Sequence, residues 1–173
     1  MSKEELIRLI LNDKDAFAEQ KNEAEDLSEV EIIAQEIKDI DLSNIDFSGA
    51  SFAESSLTNV SFVECDLTGA DFSRTTLTEC DFSQSILNNA DFSYASATFC
   101  NFTESDVAGC IFNETDLTSS DLSASENLSA CRFDDGTIWP DTDKLPEDFD
   151  SSCSYDLSSL QDEEDGENSN YEY

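Results

Sequence analysis

The chain has 173 residues, with 41 Asp and Glu against 8 Lys and Arg and no His, for a formal net charge of −33. That balance excludes unaided approach to nucleic acid or to an anionic membrane, and the lack of His removes the commonest general base and metal ligand. The length predicts one compact domain with a tail, and no stretch reaches the span of a transmembrane helix.

The first predicted element is a short helix. Ser2 followed by Glu5 reads as a capping box, with Leu6, Ile7, Ile10 and Leu11 as the apolar face. The segment Leu6 to Leu11 is too short for a signal peptide and is broken by Arg8, so the expected location is the cytoplasm. Ser28 followed by Glu31 repeats the signature before Val30, Ile32 and Ile33 and predicts a second helix. Residues 1–38 are therefore expected to form a helical cap.

A period of five then takes over. The bulky series runs Leu42, Phe47, Phe52, Leu57, Phe62, Leu67, Phe72, Leu77, Phe82, Leu87, Phe92, Ala97, Phe102, Val107, Phe112, Leu117, Leu122, with one lapse at Ala97. Neither a 3.6-residue helix nor a period-2 strand puts such a series on one face, so it predicts a solenoid. Two residues before each bulky position stands a second series, mostly small, as in Ala50, Ala70, Cys80, Ala90 and Cys100. Asp often lies between the two series and Ser or Thr usually follows, giving units such as Ala70-Asp71-Phe72-Ser73-Arg74 and Ala90-Asp91-Phe92-Ser93-Tyr94.

These units resemble the pentapeptide-repeat family over roughly half the chain. The resemblance implies an all-β solenoid, a right-handed quadrilateral β-helix of four repeats per coil, with the bulky residue and its small partner inside. Departures are few: Ile86 and Ile111 take the usual Asp position, and Ala97 underfills the core. Grouping by twenties agrees with square coils. Phe52, Phe72, Phe92 and Phe112 fall on one face and Phe62, Phe82 and Phe102 on another, while Leu67 shares a face with Leu87 and Leu57 with Leu77 and Leu117. The coils are expected over residues 39–133, a rod about 20 Å long at about 4.8 Å per coil.

After Ser123 the frame slips by one residue, giving Leu128 and Phe133. Gly136-Thr137-Ile138-Trp139-Pro140 resembles the closing turn of many family members, and Trp139 is expected as a lid on the core. The closing turn is assigned to residues 134–145 and a disordered acidic tail to residues 146–173. The helical cap and the Trp-Pro turn look most like short bacterial members, cyanobacterial ones among them.

Cys65, Cys80, Cys100 and Cys110 all hold the small inward position, which predicts buried free thiols rather than a disulfide framework. Cys80 and Cys100 are expected to stack on adjacent coils. The paired short spacings of a zinc site are absent. No nucleophile–base pair, phosphate loop or metal-ligand cluster is identified, so no catalytic residue, cofactor or metal is assigned and an enzyme is not expected.

Partner contacts are a different matter. Asp41, Glu64, Asp81, Glu104 and Asp121 are predicted on one face, one per coil, with Ser61 and Asn101 interrupting the Asp column and Asn44 and Gln84 the Glu column. This reads either as a charged ladder for a basic partner or as acid alternated with neutral to limit repulsion. Arg74 is expected to form a local ion pair near Asp71 and Asp91. Ile86, Tyr94, Phe99 and Ile111 should point outward as a protein-contact belt, or else Phe99 folds over the gap at Ala97.

Two principal functions remain open. The first is a non-enzymatic interaction or scaffold module: a rigid acidic rod for a protein partner that is basic or has an apolar docking face, with no direct nucleic-acid or membrane contact. The resemblance brings in developmental regulators of filamentous cyanobacteria that act through protein contacts. The second is a DNA mimic that binds a topoisomerase or another DNA-handling enzyme, since members associated with quinolone resistance resemble duplex DNA and engage DNA gyrase. Sixteen acids against Arg74 and Arg132 over residues 39–132 approach the duplex value of about one charge per 1.7 Å, but about 20 Å spans only about six base pairs. A third, plainer reading takes acidity as a solubility device. Both ends look covered, which favours a monomer over an end-to-end dimer.

Overall fold

A computed structural model describes residues 1–24 and 26–151 of the chain. Helix α1 spans Lys3–Asn12, and the Ser2 hydroxyl accepts the Glu5 backbone N–H at 3.2 Å to cap it. It buries Leu6, Leu9 and Ile10, with Ile7 and Leu11 packed at the rim of the core. Helix α2, Lys14–Gln20, opens on Asp13, whose carboxylate accepts the Ala16 N–H, and it buries Phe17 completely.

The second helix expected at Ser28 does not form. Asp26 accepts both the Ser28 N–H at 2.9 Å and the Ser28 hydroxyl at 2.7 Å, and Glu29 takes a φ of +58°. That is the turn of a coil rather than of a helix. Leu27, Ile32 and Ile37 extend the five-residue series backwards and are buried, and Asp26 and Glu31 bridge in parallel to Asp46 and Ser51. The coils therefore begin at Asp26 rather than at residue 39. Six levels at about 4.8 Å give a rod of about 24 Å.

Each coil has four five-residue sides. At each corner from Glu29 to Ser119 the residue two after the bulky one has positive φ, as at Glu54 (+60°), Arg74 (+58°) and Phe99 (+56°). At most corners outside the third side the next N–H closes a turn onto the bulky residue's carbonyl, for example Ala50 to Phe47 at 2.9 Å, which is type II geometry. A left-handed residue with a Cβ costs about 1–2 kcal/mol, and the hydrogen bonds between coils offset it, such as Phe47 N–H to Asp66 C=O at 2.7 Å and Asp71 N–H to Ala50 C=O at 2.9 Å.

The third side alone forms continuous strands: β1 Glu36–Asp41, β2 Ser56–Ser61, β3 Thr76–Thr78 and β4 Ser96–Thr98, a parallel sheet in the order β1-β2-β3-β4. Inside, two phenylalanine columns fill opposite sides. Phe52, Phe72 and Phe92 stack at 5.1 and 4.9 Å, Phe62, Phe82 and Phe102 at 5.1 and 5.0 Å, and the columns meet edge-on, as between Phe72 and Phe82 at 5.5 Å. The interior has no room for a channel. Buried hydroxyls are satisfied by carbonyls, such as Ser55 to Ile32 at 2.7 Å and Ser120 to Ala97 at 2.7 Å.

At the far end the frame slips as expected: Arg132 bridges to Ile111, and Ile138 bridges to Asp116. Trp139 packs on Phe112, Phe133 and Phe149 at 6.1, 5.1 and 4.9 Å, closing the core. The chain still packs on the core where the tail is expected to begin, at residue 146. Leu145 is buried, Phe149 joins the aromatic lid, and Lys144 supplies a carbonyl to Leu122 N–H. The rest of the expected tail, residues 152–173, lies outside the described residues, and Cys153 with it.

Candidate functional site

The carboxylates are set by the repeat itself. At Asp46, Asp66, Asp81 and Asp91, Oδ1 accepts the backbone N–H two residues on, at 2.8, 2.9, 2.9 and 2.8 Å. This pins the side chain against the coil, and all four residues remain partly exposed. The fourth side carries Asp41, Asp81 and Asp121 in a column interleaved with Ser61 and Asn101. Like charges two coils apart repel about half as strongly as those one coil apart. The interleaved amides also bind the acids: Asn101 Nδ2 donates to Asp81 at 3.1 Å and Gln84 Nε2 to Glu104 at 2.7 Å. Glu64 stays exposed. At the column ends, Lys21 pairs with Asp41 at 2.7 Å and Lys144 with Asp121 at 2.8 Å. Burial pushes the Asp121 carboxyl up, but Lys144, the Ser123 hydroxyl and the Ser123 N–H outweigh it and hold the group below the usual range. Asp41 is held down in the same way by Lys21 and Ser43.

A denser column was not singled out from the sequence. Asp26, Asp46 and Asp66 stack on consecutive coils of the first side, followed by Ile86, Asp106 and Glu126. The residues repeat at intervals of twenty, a signal present in the sequence once the register is known. Lys3 pairs with Asp26 at 2.9 Å and Asn127 donates to Asp106 at 2.7 Å, whereas Asp46 and Asp66 meet no cation among the described residues. Ile86 stands as an uncharged spacer between Asp66 and Asp106.

The four outward apolar residues ring the rod rather than share a side. Ile86 lies on the first side, Ile111 on the second between Asp91 and Arg132, and Tyr94 and Phe99 at the two corners of the third. Ile86, Tyr94 and Phe99 are 44, 57 and 62% exposed, so Phe99 does not fold over Ala97, and Ile111 is half-buried. Arg74 departs from expectation: it stacks over the Tyr94 ring at 5.0 Å and pairs with no acid among the described residues. Tyr94 stands one coil on at the same corner, which brings its ring under the guanidinium.

Cys65, Cys80, Cys100, Cys110 and Cys131 are buried and free. Thiols donate to carbonyls one coil back, Cys65 to Leu42 at 3.1 Å and Cys110 to Leu87 at 2.9 Å. Burial pushes Cys65 up to about 12. Among the described residues no cluster of His, Cys, Asp or Glu could hold a metal, and no helix is long and apolar enough to cross a membrane.

A repeating square coil with turns every five residues and a solid apolar core defines the class. Two family models match in succession, a pentapeptide repeat region over residues 35–109 and pentapeptide repeats (8 copies) over residues 98–135. The chain belongs to the pentapeptide-repeat family, and its fold is the right-handed quadrilateral β-helix. Among solved structures it is similar to a pentapeptide-repeat protein of the cyanobacterium Cyanothece 51142, with a TM-score of 0.65 at 15% identity, over 70% of this chain and 96% of that one. Weaker likenesses include a protein of the Arabidopsis thaliana thylakoid lumen, with a TM-score of 0.35 at 28% identity over 56% of this chain and 72% of that one. Another is QnrB1, a plasmid-mediated fluoroquinolone resistance protein, with a TM-score of 0.35 at 17% identity over 64% of this chain and 87% of that one. No curated protein matches the chain.

Proposed function

We propose that this chain is a non-enzymatic, cytoplasmic interaction module that presents a rigid carboxylate array to a basic protein partner. The observation that carries this reading is the tethering of each repeat aspartate to the N–H two residues on, as at Asp46 and Asp66. A preordered carboxylate loses little side-chain entropy on binding, so a cationic partner meets a ready surface. The first side, with Asp46 and Asp66 stacked and free of cations among the described residues, is its centre. Glu64, Asp81 and Glu104 extend it around the rod.

Charge density supports a second reading, a mimic of duplex DNA. Residues 26–138 hold twenty-two acids against Lys38, Arg74 and Arg132, about one net charge per 1.3 Å of rod against about 1.7 Å in the duplex. The rod equals only about seven base pairs at 3.4 Å each, which ranks this reading second.

The experiment is capture of proteins by the full chain and by its Asp46→Asn/Asp66→Asn variant, with elution in salt steps. Asn keeps the turn, since Asn101 accepts the Thr103 N–H at 3.0 Å in the same way. A basic partner released at moderate salt and lost by the variant supports the array. Partners that survive both high salt and the variant overturn it. A captured topoisomerase whose supercoiling activity the chain inhibits favours the mimic.

A further inference from the structure

The third side differs from the other three. On its three middle coils the outward positions are Ser56 and Thr58, Thr76 and Thr78, Ser96 and Thr98, with no acid among them. Elsewhere the hydroxyl after the bulky residue is often tied to the preceding acid or amide, as Ser43 to Asp41 at 2.5 Å, Thr103 to Asn101 at 2.8 Å and Ser123 to Asp121 at 2.6 Å. Here Ser or Thr replaces that acid. None of the six hydroxyls is bonded to a described residue, and all six side chains are exposed or half-exposed. Continuous pairing of β2, β3 and β4 holds them in register, with rows about 4.8 Å apart and about 6.6 Å between hydroxyl positions within a row.

Two further observations fall on the same strip. Tyr94 and Phe99, the two most exposed aromatic side chains among the described residues, stand at its corners on the β4 coil, at most about 17 Å apart along the chain. Arg74 stacks on Tyr94 and steadies one of these rings. Charge then selects the occupant. On a chain of −33, an anion is repelled by the neighbouring acids, and a polycation gains more on the first side. What fits a flat, neutral grid of solvent-facing hydroxyls between two aromatic rings is a neutral polymer with its own hydroxyls and flat C–H faces. We infer that the third side is a binding surface for a neutral polysaccharide, with Tyr94 and Phe99 stacking on sugar faces and Thr76, Thr78 and Thr98 hydrogen-bonding to sugar hydroxyls. This goes beyond the proposed protein contact, which uses other sides and charged chemistry.

The test is affinity electrophoresis of the full chain through gels containing hydroxyethylcellulose, xyloglucan or amylopectin, with anionic polygalacturonate as control and calorimetry at low and high salt. Retardation by at least one neutral polymer is expected, none by polygalacturonate, and no weakening of the calorimetric affinity with salt. Tyr94→Ala with Phe99→Ala should weaken binding about tenfold or more, and Thr78→Val with Thr98→Val should weaken it while keeping shape and strand propensity. Ile86→Ala, on the opposite side, should bind like the parent, and circular dichroism checks that every variant folds. A chain that none of the three polymers retards, or whose binding survives loss of both rings, overturns the assignment. So does binding that disappears with salt, a result that leaves the carboxylate reading untouched.

Discussion

Phe82 occupies the centre of the core, and its truncation tests whether ring stacking, beyond burial, holds the coils together. The ring is fully buried. It lies nearly parallel to Phe62 and Phe102, at 5.1 and 5.0 Å with interplanar angles of 6° and 7°, and edge-on to Phe72 and Phe92 at 5.5 and 5.9 Å. Phe→Ala in a core costs about 3–5 kcal/mol. Four ring contacts, each contributing about 0.5–1.5 kcal/mol beyond area, place Phe82→Ala at the upper end, about 5 kcal/mol. Leu67, equally buried but aliphatic, should cost about 3 kcal/mol as Leu67→Ala. The assay is urea unfolding followed by far-UV circular dichroism and by Trp139 fluorescence. The two must coincide, because a solenoid can lose one end first. Phe82→Ala costing no more than Leu67→Ala would refute the role given to the stacks.

Phe99→Gly removes an exposed ring from a left-handed corner, φ +56°, and should raise stability by about 1 kcal/mol in the same urea assay; a loss would show that the ring covers the core. Ala97 lies buried between Leu77 and Leu117 in its column, so Ala97→Leu, adding three carbons at about 0.8 kcal/mol each, should raise the melting temperature. A fall would mean that the neighbours already close the space. The pH dependence follows from Asp41 and Asp121, whose folded pKa values lie below their unfolded ones. Their stabilisation is complete above the unfolded value of about 3.9 and is lost as pH falls through the folded values. Lys144→Met should shrink that acid loss, as read by melting temperature against pH, and an unchanged profile would count against the Lys144–Asp121 pair.

The core was legible in the chain because a period of five leaves the backbone few ways to bury Phe52, Phe72 and Phe92 together. The Ser2 cap was legible too, since it rests on contacts three residues apart. Ser28 was misread because the same residue types serve an N-cap and an aspartate turn, and only pairing with the next coil distinguishes them. The repeat places Arg74 near Asp71 and Asp91, but its guanidinium lies over the Tyr94 ring instead, a contact set by side-chain conformation that the repeat does not encode.

Sequence by itself determined the solenoid, its inward residues and its acidity, for these depend on periodicity and composition that recur in every unit. Tertiary structure decided where the coils start, that Leu145 and Phe149 pack beyond Trp139, and which outward residues stand together. Those outcomes depend on register between positions twenty or more apart, such as Asp26 on Asp46 or Lys144 on Asp121. Local pattern carries no energy for such contacts until the coils have stacked.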